Sequence, residues 1–488
     1  MRSYLPLVLL AAGACQSAPY SPRFAPVDSD GTQLRDAEGR VRIFRGVNLH
    51  IAGIFDVTFD DGRAPREPLP DFDASDVVEL QQLGFNLVRL PINWSAIEPV
   101  KDQYSTAYLD KVAAIVDLCR AREVRVLIDL HEDGYSKEIC EDGAPLWAIT
   151  PALDMPLPGG PVMGPDCHTH PAALAAFHSF FANAGGLQDH YGEMLQVVAK
   201  RFAGDTNVLG FELMNEPIAT DDEVLAFHQK VAAAVRAVDD KHLILFEPSA
   251  TRNFTNGAPF ATLPFPTPGG VYAPHVYAAV FSSSTMLADN TFQSLLRSSI
   301  SGARDEAKSW GVPLLITEYG LGSQTVNGPS WISAALDDMD EVSASSTWWI
   351  WRDPSPGGWG LFDPNPDGSY SERPAMLDRL SRPYAQAIGG DLTDVKWDGA
   401  QLVVHFRGRP DVPNRHDIYW NQGAPAITCD GKTIAPSGTD EPGKRFTVTC
   451  GASGDHTLVF SSVRQRELTT GARHYRIHAC CPSSPPRP

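Results

Sequence analysis

Two apolar segments of the sequence each end in a glutamate. The segment VLGFELMNEP (208–217) ends in Asn215, Glu216 and Pro217, and PLLITEYG (313–320) carries Glu318. If both segments are buried strands, each carboxyl group lies where its strand meets solvent, and burial there raises the pKa of a carboxylic acid. An Asn-Glu-Pro turn by itself is more often a helix N-terminus. A pair of carboxyl groups placed in this way, however, is what glycoside hydrolysis requires.

The composition indicates a globular protein and excludes one class of partner. The chain has 488 residues, 43% of them hydrophobic, which is enough for a large core and more than one domain. The formal net charge of -19 argues against nucleic acid as a partner. No glycine motif of the kind that cradles a phosphate is present.

Strand and helix patterns alternate through most of the chain. Apolar strand patterns cover 41–50, 85–91, 124–131, 208–215, 242–247, 269–277, 313–318 and 346–351, and helical patterns cover 73–83, 106–122, 187–202, 222–238, 294–310 and 331–341. Eight strands of this kind predict a parallel (β/α)8 TIM barrel, whose active site lies at the C-terminal ends of the strands. A doubly wound sheet is the weaker alternative, because it does not gather polar residues at the ends of all its strands.

The remaining segments divide the chain into further parts. We expect the catalytic barrel over 36–388, preceded by a Ser-, Pro- and Asp-rich lead-in at 16–35 that is loosely ordered. Short alternating segments predict a small antiparallel β-sandwich over 389–463. The Arg- and Pro-rich residues 464–488 predict a disordered tail.

Residues 1–15 have the pattern of a secretory signal. One Arg, an apolar segment and small residues lead to Cys15 in the manner of a lipobox. We therefore expect export to the cell envelope or the exterior, either with a lipidated Cys15 that associates with a membrane or with plain cleavage. A monomer is expected.

The other cysteines suit an oxidising compartment. Cys140 and Cys167 flank a Pro- and Gly-rich loop, and Cys429 and Cys450 lie in the sandwich; both pairs are expected disulfides. Cys119 lies in a helical pattern and is expected to be a buried thiol. No cysteine has zinc-ligand spacing.

Eight short motifs give the sequence a family resemblance. RGVN, GFNLVRL, LIDLHED, EDGAPLWA, GLQDHY, GFELMNEP, APHVY and ITEYG, in this order, are similar to glycoside hydrolase family 5. The HxD and QDHY motifs and RPYAQAIGG (382–390) resemble its endoglycoceramidase branch, and the resemblance covers about residues 41–460. It implies a retaining endo-type β-glycosidase that cleaves between glycan and ceramide in glycosphingolipids without a metal or other cofactor.

The resemblance also implies a role for each matching residue. Glu216 matches the general acid/base and should have a raised pKa, and Glu318 matches the nucleophile, kept ionised by Arg89 and the hydroxyl of Tyr277. Asn215 matches the amide that binds the sugar 2-hydroxyl. Further sugar-binding or supporting groups are expected at His131, Asp133, His275, Tyr277, Trp351, Trp349, Arg89 and His50.

Three tryptophans lie at or near the end of the last strand pattern. Trp349 and Trp351 share one face of that pattern, and either would provide a floor for a pyranose ring. Trp351, which is nearer the strand end, is the preferred one. Trp348 is expected in the core.

Several residues admit a second interpretation. Arg89 and Asp133 would also suit a structural ion pair, and His275 a core histidine. Glu98 and Glu247 are two other carboxylates that could be taken for the nucleophile, and the sequence favours Glu318 over both.

The segment after the RGVN motif departs from the family. The lysine expected there is missing, so that either His50 or Arg63 replaces it or the pocket binds a different glycan. Phe55, Phe59 and Phe72 suit either a lipid-facing rim or ordinary loop anchors, and the loop at 156–165 is a second candidate rim.

Two rival functions remain open. One is a family 5 β-glucosidase, endoglucanase, glucosylceramidase or steryl-glucosidase-like enzyme acting on another β-linked glycan, for which a long aromatic-lined cleft of sugar subsites is expected. The other, of a different class, is an inactive surface carbohydrate-binding lipoprotein. The glycolipid hypothesis predicts a polar sugar pocket that opens onto an apolar groove.

Overall fold

The structure is a computed structural model and describes residues 27–59, 61–152, 164–254, 267–353, 358–440 and 444–462. The strands are β1 (Asp28–Asp30), β2 (Gln33–Arg35), β3 (Val41–Arg42), β4 (Arg45–Asn48), β5 (Leu87–Ile92), β6 (Arg125–Leu130), β7 (Val208–Glu212), β8 (Leu243–Phe246), β9 (Gly270–Tyr272), β10 (His275–Val276), β11 (Leu315–Tyr319), β12 (Ser345–Trp348), β13 (Phe362–Pro364), β14 (Tyr370–Glu372), β15 (Tyr384–Ile388), β16 (Asp391–Trp397), β17 (Gln401–Gly408), β18 (Arg415–Tyr419), β19 (Pro425–Cys429), β20 (Lys432–Thr433), β21 (Gly438–Thr439), β22 (Arg445–Thr449) and β23 (Gly454–Ser462). The α-helices are α1 (Ala74–Gln82), α2 (Trp94–Ile97), α3 (Thr106–Arg120), α4 (Pro171–Phe181), α5 (Leu187–Phe202), α6 (Asp221–Arg236), α7 (Ser284–Ala288), α8 (Gln293–Trp310), α9 (Gly328–Glu341) and α10 (Pro374–Leu380).

The central sheet is a closed parallel barrel. Its order is β10-β11-β12-β4-β5-β6-β7-β8-β9, and β9 and β10 are successive parts of one strand that is interrupted at Ala273 and Pro274. β9 pairs with β8 and β10 pairs with β11, so this eighth strand closes the ring. The interruption follows from proline, which has no N–H to give to the ladder. The predicted (β/α)8 fold is confirmed.

The helices that surround the barrel begin where the sequence supplies capping groups. Asp73 and Asp76 form a capping box at the start of α1, and Thr220 and Glu223 form another at the start of α6. Such reciprocal bonds satisfy backbone N–H groups that the first turn leaves open. The six predicted helices are all present, with ends that differ by three residues or fewer.

The C-terminal part is an antiparallel sandwich of a seven-stranded and a five-stranded sheet. Their orders are β1-β2-β3-β15-β18-β22-β21 and β16-β17-β23-β19-β20. The seven-stranded sheet includes residues 28–42 and 384–388, so the sandwich takes strands from outside its expected range of 389–463. The two sheets enclose a core that includes Phe406, Trp420 and Phe460.

The lead-in is more ordered than its composition indicates. Residues 28–35 form the hairpin β1–β2, which corrects the expectation of a loose segment. Val27 and Leu34 pack against inward-facing leucines of the barrel strands, such as Leu127 and Leu209. Burial of these side chains and pairing of the backbone with β3 offset the turn-forming composition.

One of the two expected disulfides is present. Cys429 and Cys450 are bonded, with a Cα–Cα distance of 5.7 Å. Cys140 and Cys167 are instead neighbouring buried thiols, which corrects that prediction. Cys119 is a buried thiol as expected, and burial raises its pKa to about 12. The remaining cysteines and the loop at 156–163 lie outside the described residues.

None of the helices in the ranges given above is long and apolar enough to cross a membrane.

Candidate active site

The polar side chains of the strand ends meet at one end of the barrel. Because all eight strands are parallel, their C-terminal ends lie on the same face. The groups gathered there are Asn48, Arg89, Asp129, His131, Asn215, Glu216, Glu247, His275 and Glu318, and all of them are buried.

The two predicted catalytic glutamates lie close to each other. Nδ1 of His275 is 2.7 Å from Oε1 of Glu216 and 3.5 Å from Oε2 of Glu318, and an oxygen of each carboxylate lies within 4.8 Å of the other. Carboxyl groups about 5–5.5 Å apart are typical of retaining glycosidases, whereas inverting enzymes leave room for a water molecule between them. The separation here fits retention.

Glu318 is held in position from two sides. Nη1 of Arg89 donates a hydrogen bond of 2.5 Å to Oε1, and the hydroxyl of Tyr277 donates one of 2.6 Å to Oε2. Both partners are those expected from the sequence. Charge-assisted bonds of this kind fix the direction of a nucleophile.

Arg89 is the buried cation around which the acids of the site are arranged. It contacts Glu212 at 2.6 Å and Asp129 at 3.0 Å in addition to Glu318, and it donates to Oδ1 of Asn215 at 2.9 Å. The alternative that Arg89 forms a structural ion pair with Asp133 is wrong, because the carboxylate that Arg89 contacts on the neighbouring strand β6 is Asp129.

The environment of Glu216 differs from the expectation. Its Oε1 accepts hydrogen bonds from Asn253 at 2.8 Å and from His275, and its Oε2 lies 3.4 Å from Nε2 of His168. Burial raises the pKa of Glu216, but the two histidines outweigh burial and lower it to about 2. The predicted raised pKa is therefore wrong for this arrangement. Its backbone has a left-handed φ of 40°, a strained conformation that is typical of functional residues.

Asn215, His131 and Asp133 adopt supporting positions. Nδ2 of Asn215 donates to the backbone oxygen of Glu132 at 2.9 Å, which leaves its second N–H for a ligand. His131 is bound through Nδ1 to Asp129 at 2.6 Å. Asp133 lies 3.5 Å from His168, and although burial raises the pKa of Asp133, His131 and His168 together lower it.

A cavity of about 410 Å³ opens over these groups. Carboxylate, amide and imidazole groups form its polar part, and aromatic rings form the rest. It is lined by Asp133, Glu141, His168, Thr169, Asn215, Glu216, Tyr277, Phe281, Glu318, Trp349 and Trp359.

Of the three tryptophans near the end of the last strand, Trp349 is the one that lines the cavity. Its ring is stacked on His131 with centroids 5.4 Å apart. Trp351 instead lies in the core against Phe362, where its indole donates to Asp76, so the preference for Trp351 was wrong. Strand β12 ends at Trp348, and the alternation of faces does not continue beyond it. Trp348 is fully buried, as expected.

His50 lies behind the cavity and does not line it. Its ring contacts Phe55 at 3.9 Å, and Nε2 is 3.4 Å from Glu67. Arg63, the other candidate for the missing lysine, pairs with Glu138 and also lies away from the cavity.

The remaining candidates also lie outside the cavity lining. Phe55 is buried, Phe59 and Phe72 are partly buried, and none of the three lines the cavity, which favours loop anchors over a lipid-facing rim. Glu98 accepts from Trp94 away from the site. Glu247 lies at 0% exposure beneath Glu216, whose backbone N–H it accepts.

Sequence reasoning missed several functional groups. His168, Phe281, Trp359 and Asn253 come from loops and short turns, where no strand pattern marks an inward position. The only signal for His168 was its place beside Cys167 after the Pro- and Gly-rich loop.

Some of these clusters have the spacing of metal ligands. Asp133, His168 and Glu216 form one such set, with ligand atoms within 4.8 Å of one another. A protonated histidine between two carboxylates has the same geometry. The arrangement is thus explained by the acid–base chemistry of the site.

Comparison with known proteins agrees with this geometry. Endoglycoceramidase I of Rhodococcus hoagii is 29% identical over 88% of this chain and 87% of its own length, and the endoglycoceramidase of Cyanea nozakii is 26% identical over 76% and 78%. The structure of endo-glycoceramidase II from Rhodococcus sp. in a cellobiose-like imidazole complex is 25% identical with a TM-score of 0.74, covering 88% of this chain and 100% of that one. The family model for cellulases of glycosyl hydrolase family 5 matches residues 72–355, more than half of the chain. The chain therefore belongs to glycosyl hydrolase family 5 and resembles its endoglycoceramidases.

Proposed function

We propose that the protein is a retaining endoglycosidase that hydrolyses the bond between glycan and ceramide in glycosphingolipids. The observation that carries the chemistry is the pair Glu216 and Glu318, with carboxylate oxygens within 4.8 Å of each other at the ends of β7 and β11. The two steps of the reaction follow from their surroundings.

In the first step, Glu318 attacks the anomeric carbon and forms a covalent glycosyl-enzyme intermediate. Arg89 and Tyr277 hold the two oxygens of Glu318, so that its direction of attack is fixed before the substrate enters. Glu216, protonated for this step, gives its proton to the glycosidic oxygen, and the ceramide leaves as a neutral alcohol.

In the second step, the deprotonated Glu216 acts as a base. It takes a proton from a water molecule that attacks the anomeric carbon, and Glu318 leaves as a carboxylate. The free N–H of Asn215 faces the cavity beside the nucleophile, where it can bind the sugar 2-hydroxyl. The flat face of Trp349 provides the floor for the pyranose ring.

Two observations support a glycolipid as the substrate. The similarity to endoglycoceramidases runs through both the barrel and the sandwich, since it covers 88% of the chain. In addition, Phe281 and Trp359 form an aromatic wall on one side of the cavity, with ring centroids 5.5 Å apart, and Phe281 is 50% exposed. An exposed apolar wall beside a polar pocket suits a substrate with a sugar at one end and a lipid at the other.

The test compares two substrates and two proteins. Lactosylceramide and a soluble aryl β-lactoside are incubated with the wild type and with Glu318→Gln, and the products are separated by mass. Release of intact lactose and ceramide by the wild type alone is the expected result. Cleavage of only the soluble substrate would assign the protein to the ordinary β-glycosidases, and cleavage of neither would leave the inactive binding protein as the better description.

We also propose that the protein is exported and acts as a monomer, with Cys15 as a lipid attachment site. The support is the signal-like pattern of residues 1–15. The mass of the mature N-terminus tests this proposal, because acylation adds a fixed mass to Cys15 and plain cleavage does not. Size-exclusion chromatography with light scattering gives the oligomeric state.

A further inference from the structure

His168 lies between the acid/base and a second carboxylate. It belongs to a short 3-10 helix (Gly164–Thr169), and its Nε2 is 3.4 Å from Oε2 of Glu216 and 3.5 Å from Oδ1 of Asp133. Its side chain is 27% exposed and lines the cavity. Both distances start from the same nitrogen, so the single Nε2–H lies within reach of either carboxylate.

The two oxygens of Glu216 have different surroundings. Oε1 accepts hydrogen bonds from Asn253 and His275, so both of its lone pairs are used within the protein. Glu216 lines the cavity, and Oε2 is the oxygen left for it; among the described residues His168 is the nearest charged neighbour of Oε2. The proton that protonates the glycosidic oxygen therefore has to leave from Oε2, the oxygen that faces His168.

The charges around His168 favour its protonated form in the resting enzyme. Burial lowers the pKa of His168, but Asp133 and Glu216 outweigh burial and raise it to about 12. Glu132 interacts with the imidazole and Glu141 lines the same cavity, while His275 contacts the other oxygen of Glu216. The resting proton is thus on the imidazole, whereas the first step of the reaction requires it on Glu216.

We propose that His168, which lies between Asp133 and Glu216, is a positioning residue that stores the catalytic proton and passes it to Oε2 of Glu216 when substrate fills the cavity. The inference rests on the proposed function of Glu216. The Nε2–H bond breaks and the Oε2–H bond forms, so the imidazolium becomes neutral and the carboxylate becomes an acid. Glu216 then gives this proton to the glycosidic oxygen. In the second step the proton of the attacking water passes to Oε2 and back to Nε2, which restores the starting state.

The test is the pH profile of kcat/KM for the wild type, His168→Gln and the control His178→Gln. Gln keeps a hydrogen-bond donor but does not titrate, and His178 is an exposed histidine on α4 away from the cavity. We expect the basic limb of His168→Gln on lactosylceramide to move to lower pH by about one pH unit or more, because the imidazolium no longer keeps the proton available. The control should match the wild type.

The opposite results have distinct meanings. A shift of the basic limb to higher pH would show that His168 only repels a proton from Glu216, and an unchanged profile would show a purely structural contact; either overturns the proposal. A dinitrophenyl β-lactoside, whose leaving group needs no proton, should lose less than about threefold in kcat/KM in the same variant, against about tenfold or more for lactosylceramide. If the wild type cleaves neither substrate, the proposed function fails before the inference is reached.

Discussion

The assignment of Trp349 to the substrate and of Trp351 to the core is tested by replacing each separately with alanine. Trp351 is 1% exposed, packs edge-on against Phe362 with centroids 4.6 Å apart, and donates to Asp76. Removal of such a side chain destabilises a core by about 3–5 kcal/mol. With an unfolding entropy of about 1 kcal/mol/K for a chain of this length, Tm should fall by about 3–5 °C.

Trp349→Ala should lower the activity strongly and Tm only slightly, the reverse of Trp351→Ala. The ring of Trp349 is partly exposed in the cavity. Its stack on His131 is worth about 0.5–1.5 kcal/mol, and its tilted contact with His50, with centroids 6.1 Å apart, adds less, so Tm should fall by about 1–2 °C. The face of the indole covers about 80–100 Å² of a bound sugar, or about 2 kcal/mol at about 25 cal/mol/Å². The value of kcat/KM should therefore fall about 30-fold.

The assay measures kcat/KM on lactosylceramide at a temperature well below both transitions, together with thermal unfolding of the same samples. The matched variants Trp349→Phe and Trp351→Phe should each show a smaller version of the effect at their own position. A Trp351→Ala protein with the wild-type Tm and a 30-fold loss of activity would refute the assignment, as would a Trp349→Ala protein with full activity.

Three other predictions concern the nucleophile, the sandwich and the pH dependence of stability. Tyr277→Phe removes the 2.6 Å hydrogen bond to Glu318, and a hydrogen bond to a charged acceptor is worth about 1.5–3 kcal/mol. In steady-state assays kcat should therefore fall by about 10- to 100-fold, and a wild-type kcat would contradict this prediction. Replacing both Cys429 and Cys450 by serine removes the disulfide, whose cysteines are 21 residues apart in sequence. The free energy of unfolding, measured by urea denaturation, should fall by about 3 kcal/mol, with no change in kcat. Unchanged stability would show that the disulfide restrains the unfolded chain little. Burial raises the pKa of Glu67 to about 7, so the folded state binds the proton of Glu67 more tightly than the unfolded state does. The free energy of unfolding should therefore fall as the pH rises from about 4.5 through 7. Thermal unfolding should show this pH dependence in the wild type and a weaker one in Glu67→Gln.

The barrel was predictable because each of its strands carries its own signal. The segments ending at Asn48, Arg89, Asn215 and Glu318 are apolar and rich in β-branched residues, and parallel strands of a barrel are buried on both faces, so that continuous apolar runs mark them. The polar residue at the end of each strand must then lie at the C-terminal end of the barrel. The strand patterns thus place Arg89 and Glu318 at the same end of the barrel, and the family resemblance implied the contact between them.

What sequence reasoning could not reach depends on contacts between distant segments. The pKa of Glu216 is set by His168 and His275, which are brought to it by a loop and by another strand. The preference for Trp351 extended a period of two beyond the last residue of β12, where the strand no longer dictates the face. The order of the hairpin at 28–35 comes from its pairing with β3, which its own composition does not reveal.

The strand β15 also has a consequence for how the chain is made. It pairs directly with β3, where Ile388 lies opposite Val41 although the two residues are 347 positions apart along the sequence. During synthesis at about 5–20 residues per second, β3 emerges about 20–70 s before its partner exists. Until then its edge is an open template for other chains. The earliest strands of this protein thus depend on protection during biogenesis, and shortening the chain at residue 383 would make that temporary exposure permanent.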